Sequence, residues 1–204
     1  RDPHRAGAAG APGPGPGPNP NPDPGPTPGP GQTPGEKPGR PDPSKPGNID
    51  REYGSDRVGT GTRISQRYFD KSKYVIVVDS GNYPDALTAS VLAKVLDCPI
   101  LLNNTEYLEE NVRKEILRLG ADEIIIVGGH NSISEKVREE LEPMDRNRVQ
   151  RIWGDDRFIT SAQVAREVAK INGGVTKAVI ASGEVFPDAL ASAPLAGKEV
   201  APIL

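Results

Sequence analysis

A sequence repeat of about 100 residues constrains the fold of this chain more than any other feature. Residues 84–101 match residues 187–204 at nine of eighteen positions, beginning with Pro-Asp-Ala-Leu and ending with Pro-Ile-Leu. Residues 51–60 match residues 151–160 at an Arg, a Gly, an Asp, a second Arg and a Thr. Because two blocks recur in the same order at nearly the same offset, the sequence predicts a tandem repeat of one structural unit.

Composition separates a linker from the repeated part. Residues 1–48 hold 16 of the 22 prolines and 11 of the 23 glycines and contain no Leu, Ile, Val, Phe, Tyr or Trp. Since this segment has nothing apolar to bury, we expect a disordered Pro/Gly-rich linker with polyproline II character. The remainder divides into a first copy at 49–149 and a truncated second copy at 150–204, which we expect to continue in a longer tandem array.

The repeated part is acidic, with 20 Lys and Arg against 24 Asp and Glu. This charge argues against bulk electrostatic binding to nucleic acid or to an anionic membrane, so an anionic ligand would need a local cationic cluster. No membrane span is expected. The single cysteine, Cys98, lies in an apolar run and is predicted to pack as a small hydrophobic residue.

Short apolar runs alternate with helical patterns along the repeat. Strands are predicted at 73–78, 123–127 and 177–181, with weaker candidates at 99–102 and 148–153. One intervening helix is predicted to start at Thr105 as its N-cap, and another at a capping box from Ser132 to Glu135. The alternation predicts an α/β fold of flavodoxin-like or Rossmann-like form, in which a parallel sheet carries helices on both faces.

A Ser-Gly turn followed by Pro-Asp-Ala-Leu occurs once in each copy. The proline suits the first turn of a helix, where its missing N–H costs nothing, and the aspartate then lies at the positive end of the helix dipole. Structure thus explains most of the motif, and the loop is also predicted to form part of a ligand-binding rim beyond the strand ends. The residues concerned are Ser80, Pro84 and Asp85 in the first copy, and Ser182, Pro187 and Asp188 in the second.

A catalytic interpretation of the same motif has less support. It would make Ser80 a nucleophile with Asp85 and His130 as partners, but the sequence lacks the Gly-x-Ser-x-Gly elbow and offers no second histidine in the repeated part. The Gly-Gly turn at 128–129 lacks the Lys-Ser/Thr of a nucleotide-binding loop. We therefore expect no enzymatic activity, no cofactor and no metal.

Three sequence blocks closely resemble the cell wall binding repeat 2 family of Gram-positive surface proteins. The blocks are IIIVGGHNSIS at 124–134, RIWGDDRFITSAQVA at 151–165 and VIASGEVFPDALASAPLAGKEVAPIL at 179–204. The resemblance implies an α/β repeat, usually present three times around a pseudo-threefold axis. It also implies a location at the cell wall or extracellular surface and non-covalent anchoring to anionic secondary polymers of that wall.

From the residues and the resemblance we expect a non-enzymatic module that anchors a secreted or surface-layer protein to the Gram-positive cell wall. Its expected partners are an anionic wall polymer, teichoic-acid-like or a secondary polysaccharide, and adjacent repeats of the same chain. The alternative is a fragment of a peptidoglycan hydrolase, such as an amidase, or of a surface protease whose catalytic domain lies outside this chain. A third class is a flavodoxin-like enzyme that binds a small molecule or nucleotide.

The candidate ligand-binding residues are polar groups of the repeated blocks together with one apolar strand. Arg57 and Arg157 are expected either to pair with neighbouring carboxylates or to face the ligand. The full set is Arg57, Arg157, Ser80, Asp85, Ser182 and Asp188, with Ile100, Leu101 and Leu102 from the Pro-Ile-Leu-Leu strand.

Overall fold

The computed structural model describes residues 52–204, and the linker predicted at 1–48 lies outside that range. Its strands are β1 (Tyr74–Asp79), β2 (Ile100–Asn103), β3 (Glu123–Val127) and β4 (Gln150–Ile152). Its helices are α1 (Arg57–Tyr68), α2 (Tyr83–Leu96), α3 (Glu110–Leu119), α4 (Glu135–Leu141), α5 (Arg157–Asn172) and α6 (Pro187–Glu199), with a short 3-10 turn at Glu142–Met144. The strands form one parallel sheet in the order β2-β1-β3-β4.

Alternate side chains of the central strands enter two separate apolar layers. Val75 and Val77 face α1, α3 and α4, whereas Ile76 and Val78 face α2, α5 and α6. All four side chains are 0% exposed, and full burial of one such side chain contributes about 1.5–3 kcal/mol. The predicted α/β fold, a parallel sheet with helices on both faces, is confirmed.

The second copy completes the sheet of the first. Strand β4 begins the second copy and pairs in parallel with β3, placing Ile152 beside Val127. Val164 and Val168 of α5 and Ala196 of α6 then enter the same apolar layer as Ile76. The two copies are therefore packing partners that share the apolar layer on the α2 side of the sheet.

The prediction of a buried strand at 177–181 is wrong. Val179 forms only an isolated parallel bridge with Ile203, and Ile180 is 80% exposed. A parallel strand of the buried type needs hydrogen-bonding neighbours and helical cover. Within residues 52–204 this segment pairs only with 202–204, through three backbone hydrogen bonds.

Two further sequence predictions concern the single cysteine and a membrane span. Cys98 is 4% exposed in the apolar layer, so the prediction that it packs as a small hydrophobic residue is confirmed, and burial raises the pKa of its thiol to about 12. Among the helices of residues 52–204, none combines the length and the apolar content that crossing a membrane requires.

Candidate functional site

The carboxyl ends of the strands meet at one edge of the sheet, where open α/β folds bind their ligands. The loops after β1, β3 and β4 and the first turns of α2 and α5 enclose a cleft of about 470 Å³ at this edge. We call it the junction cleft, because both copies contribute to it. Its lining residues are Asn82, Asp85, 129–132, 153–157 and Thr160.

Asp85 of the first Pro-Asp motif forms the floor of the junction cleft. It is 5% exposed, and the Ser132 hydroxyl donates a hydrogen bond to its Oδ2 at 2.8 Å. Burial raises the pKa of the Asp85 carboxyl, and the negative charge of Asp79 acts in the same direction. The Ser132 hydrogen bond and the positive charge of Arg157 oppose that rise in pKa.

A second buried carboxylate, Asp79, ends strand β1. Its Oδ1 accepts the Gly81 N–H at 3.0 Å and the Thr105 hydroxyl at 3.3 Å. The predicted N-cap roles of Thr105 and Ser132 are therefore wrong, because both hydroxyls bind buried aspartates instead. Helix α3 begins at Glu110 after Glu109, and the N-cap of α4 is Ser134.

The arginines of the two copies hold the Ser-Gly loops through the backbone. Arg57 Nη1 donates to the Ser80 carbonyl at 2.7 Å, and Arg157 Nη1 donates to the Gly183 carbonyl at 2.6 Å. Both arginines are exposed. Among residues 52–204 neither arginine forms the predicted ion pair with a carboxylate, and the ligand-facing role stays a prediction. Of the two, Arg157 lines the junction cleft.

The structure separates the remaining candidate residues. Ser182 and Asp188 are exposed and lie in the second-copy loop and the first turn of α6. Leu101 is 0% exposed in the core and offers no surface to a ligand. Ile100 and Leu102 are half-buried in β2, at the opposite edge of the sheet from β4. Of the predicted set, Asp85 and Arg157 are brought together in the junction cleft.

The sequence analysis did not include Arg151 or Trp153 among the candidate residues, and it considered His130 only in the catalytic interpretation. Arg151 Nη1 donates to the carbonyls of Gly128 and Gly129, at 3.1 Å in each case, and so fixes the Gly-Gly turn. The rings of His130 and Trp153 pack edge to face with centroids 5.1 Å apart. Arg151 is matched by Arg51 in the first copy and Trp153 by Tyr53, so their recurrence in the repeat could have identified them from the sequence.

Comparisons with known proteins agree with this architecture. A family model described as cell wall binding domain 2 (CWB2) matches residues 51–138 and 151–204. The amidase enhancer of Bacillus subtilis (strain 168) is 35% identical over 155 residues, which cover 76% of this chain and 21% of that protein. The N-acetylmuramoyl-L-alanine amidase LytC of the same organism is 31% identical over 157 residues, covering 77% of this chain and 31% of that protein.

A solved structure extends the likeness to three dimensions. Cwp6 from Clostridium difficile superposes with a TM-score of 0.68 at 30% identity, covering 81% of this chain and 27% of that one. This chain thus spans between 21% and 31% of the length of these relatives. The resemblance predicted from the repeated blocks is confirmed, as is a location at the cell wall on the extracellular surface. Since one family model accounts for both copies of the repeat, the chain belongs to the cell wall binding domain 2 family.

Proposed function

We propose that this chain anchors its protein non-covalently to the cell wall by binding an anionic secondary polymer across the junction cleft. The polymer is teichoic-acid-like or a secondary polysaccharide. Family membership supports wall binding in general. The observation that supports this site is a 470 Å³ cleft that both copies build at the carboxyl edge of a parallel sheet.

The chemistry of the junction cleft suits a polyhydroxylated ligand. Asn82 and Asn131 present exposed amides, and Trp153 is 41% exposed beside them. Asp155 provides carboxylate acceptors for sugar hydroxyls, and Arg157 provides donors for oxygen acceptors. A few oriented polar groups around an aromatic ring are typical of small-ligand and sugar-sized sites.

We further propose that the module binds without catalysing a reaction. Within residues 52–204, the three residues of the catalytic interpretation form no hydrogen bond with one another. Ser80 is held through its carbonyl by Arg57, and Asp85 accepts the Ser132 hydroxyl. His130 Nδ1 lies 3.3 Å from Glu135 Oε2. These contacts favour a fixed binding surface over a nucleophile and its base.

Co-sedimentation with isolated Gram-positive walls tests the proposed function. One half of the walls keeps its secondary polymers, and the other half is treated with hydrofluoric acid to cleave phosphodiester-linked polymers. We expect the protein to sediment with the untreated walls only, and to be released by added soluble polymer and by salt. Equal sedimentation with both wall preparations would refute binding to the secondary polymer while leaving family membership intact.

A second proposal concerns the longer protein to which such a module belongs. The relatives named amidase and amidase enhancer support the view that this chain targets a peptidoglycan hydrolase to its substrate. The full gene product should then cleave intact walls faster than a variant lacking residues 52–204, with equal rates on soluble wall fragments. A full gene product without hydrolase activity on either substrate would contradict this proposal.

A further inference from the structure

A second groove lies directly beside the junction cleft. It has a volume of about 480 Å³ and shares His130 and Trp153 with the cleft. We call it the basic groove; its other lining residues are Glu135, Arg138 and 148–151. Three arginines against one glutamate make this groove locally cationic, although the chain as a whole carries a net charge of −3.

The guanidinium of Arg151 is buried in the wall of the basic groove with open donors. Its side chain is 7% exposed, and Nη1 is used by the Gly-Gly turn. Within residues 52–204, Nε and Nη2 have no hydrogen-bond partner, and Nη2 lies 3.6 Å from Glu135 Oε2. Buried donors are normally hydrogen-bonded, so Arg151 keeps unsatisfied hydrogen-bonding capacity beside the basic groove.

The other two arginines differ in their availability. Arg138 is held by Glu135 and Glu142 on the surface of α4. Arg148 is exposed and makes no ion pair or side-chain hydrogen bond within the described part of the chain. Arg148 is thus free to bind an anion, whereas Arg138 contributes its charge from a fixed position.

We propose that the basic groove is the subsite for the charged group of the wall polymer. Arg148 and Arg151 bind its phosphate or carboxylate, and Trp153 packs against the adjoining sugar ring. A guanidinium can donate two parallel hydrogen bonds to a pair of oxygens on either anion, and an indole offers a large apolar surface with a polar N–H edge. This inference rests on the proposed function, since it assigns to one place the anion that distinguishes the polymer.

Trp153 makes the basic groove directly observable, because it is the only tryptophan of the chain. Its fluorescence is measured while polymer released from the walls is added, and then with polyglycerol phosphate and with polygalacturonate as defined phosphate and carboxylate probes. We expect a saturable change in emission with the released polymer. The defined probe that reproduces this change identifies the anion.

Substitution of Arg148 provides the quantitative test. We expect Arg148→Glu to weaken binding of the released polymer about tenfold or more, since it removes a charge-assisted contact and adds repulsion. Arg148→Lys should retain part of the affinity. Arg63→Glu is the matched control, because Arg63 is equally exposed on α1, which packs beside β2 at the far edge of the sheet.

The outcomes separate this inference from the proposed function. If wild-type protein requires the secondary polymer but Arg148→Glu binds as well as Arg63→Glu, the basic groove is not the subsite, and anchoring still stands. Unchanged Trp153 emission at polymer concentrations that saturate sedimentation would overturn the inference in the same way. If wild-type protein binds stripped and untreated walls equally, the proposed function fails, and the inference fails with it.

Discussion

Replacement of Gly128 by alanine tests how the floor of the junction cleft is built. Gly128 has φ +122°, a conformation that L residues rarely adopt. A Cβ atom at this position would lie 2.5 Å from Asp85 Oδ2 and 2.9 Å from the Ser132 Cβ. The turn therefore has to move, or the Asp85 carboxyl has to leave its hydrogen bond with Ser132.

The expected loss of stability has two parts. Holding a residue other than glycine in this conformation costs on the order of 1–3 kcal/mol. Displacing the buried carboxyl from its partner costs about another 1–3 kcal/mol. We therefore expect Gly128→Ala to lower the free energy of unfolding by about 2–6 kcal/mol, and to weaken wall binding because the cleft floor is disturbed.

Urea unfolding followed by circular dichroism measures this effect, and Gly129→Ala serves as the neighbouring control. A Cβ on Gly129 would meet only the Trp153 ring, at an ordinary distance of 3.7 Å. The control should change stability by less than about 1 kcal/mol. Equal unfolding midpoints for the two variants, with unchanged denaturant dependence, would show that the close approach of Gly128 to Asp85 does not matter.

Three further predictions follow from the contacts of the site. Because burial raises the pKa of Asp85, the wild-type folded state loses stability as the pH rises from the ordinary carboxyl pKa to the raised one. Asp85→Asn lacks this titration, so its free energy of unfolding relative to wild type should increase with pH over that window. A pH-independent difference between the two proteins in urea titrations would contradict this prediction. Arg57→Ala and Arg157→Ala should each cost about 0.5–1.5 kcal/mol in thermal unfolding, but sedimentation with walls should fall further for Arg157→Ala, since only Arg157 lines the cleft. Amides at 177–181 should exchange with deuterium faster than those at 123–127, and similar protection would show that the isolated bridge is as stable as strand β3.

The central sheet could be predicted from sequence because its strands are buried on both faces. Continuous β-branched runs such as those at 73–78 and 123–127, alternating with helical segments, are typical of parallel strands covered on both faces. The run at 177–181 is also short and apolar, though it has fewer β-branched residues, and it forms only one bridge. Composition encodes the preference for a sheet, whereas a strand also needs neighbours, and those are supplied by distant parts of the chain.

The site was less predictable because its key contacts join residues far apart in sequence. Ser132 fits a capping box locally, but its hydroxyl reaches Asp85, 47 residues away. A buried carboxylate needs a donor more than a solvated helix start does, since water can satisfy the latter. The same holds for Arg151, whose role depends on the Gly-Gly turn that β3 places beside β4.

A comparison of contacts in the two copies shows which repeated residues have a structural role. In the first copy the Gly54 N–H donates to Thr60 Oγ1 at 3.0 Å, and in the second the Gly154 N–H donates to Thr160 Oγ1 at the same distance. Asp56 and Asp156 cap their helices with the same geometry, each accepting an N–H at 2.7 Å. Identical contacts in both copies explain the recurrence of these residues without any ligand.

Ligand chemistry is then expected where the two copies meet. Arg148 and His130 belong to the first copy, whereas Trp153 belongs to the second and, like His130, lines both the cleft and the groove. A recurring frame that places such a junction between successive copies would offer a repetitive polymer several equivalent sites. If each junction binds the polymer as proposed, linked sites would raise the effective concentration, so modest affinity at each junction would be enough for firm anchoring.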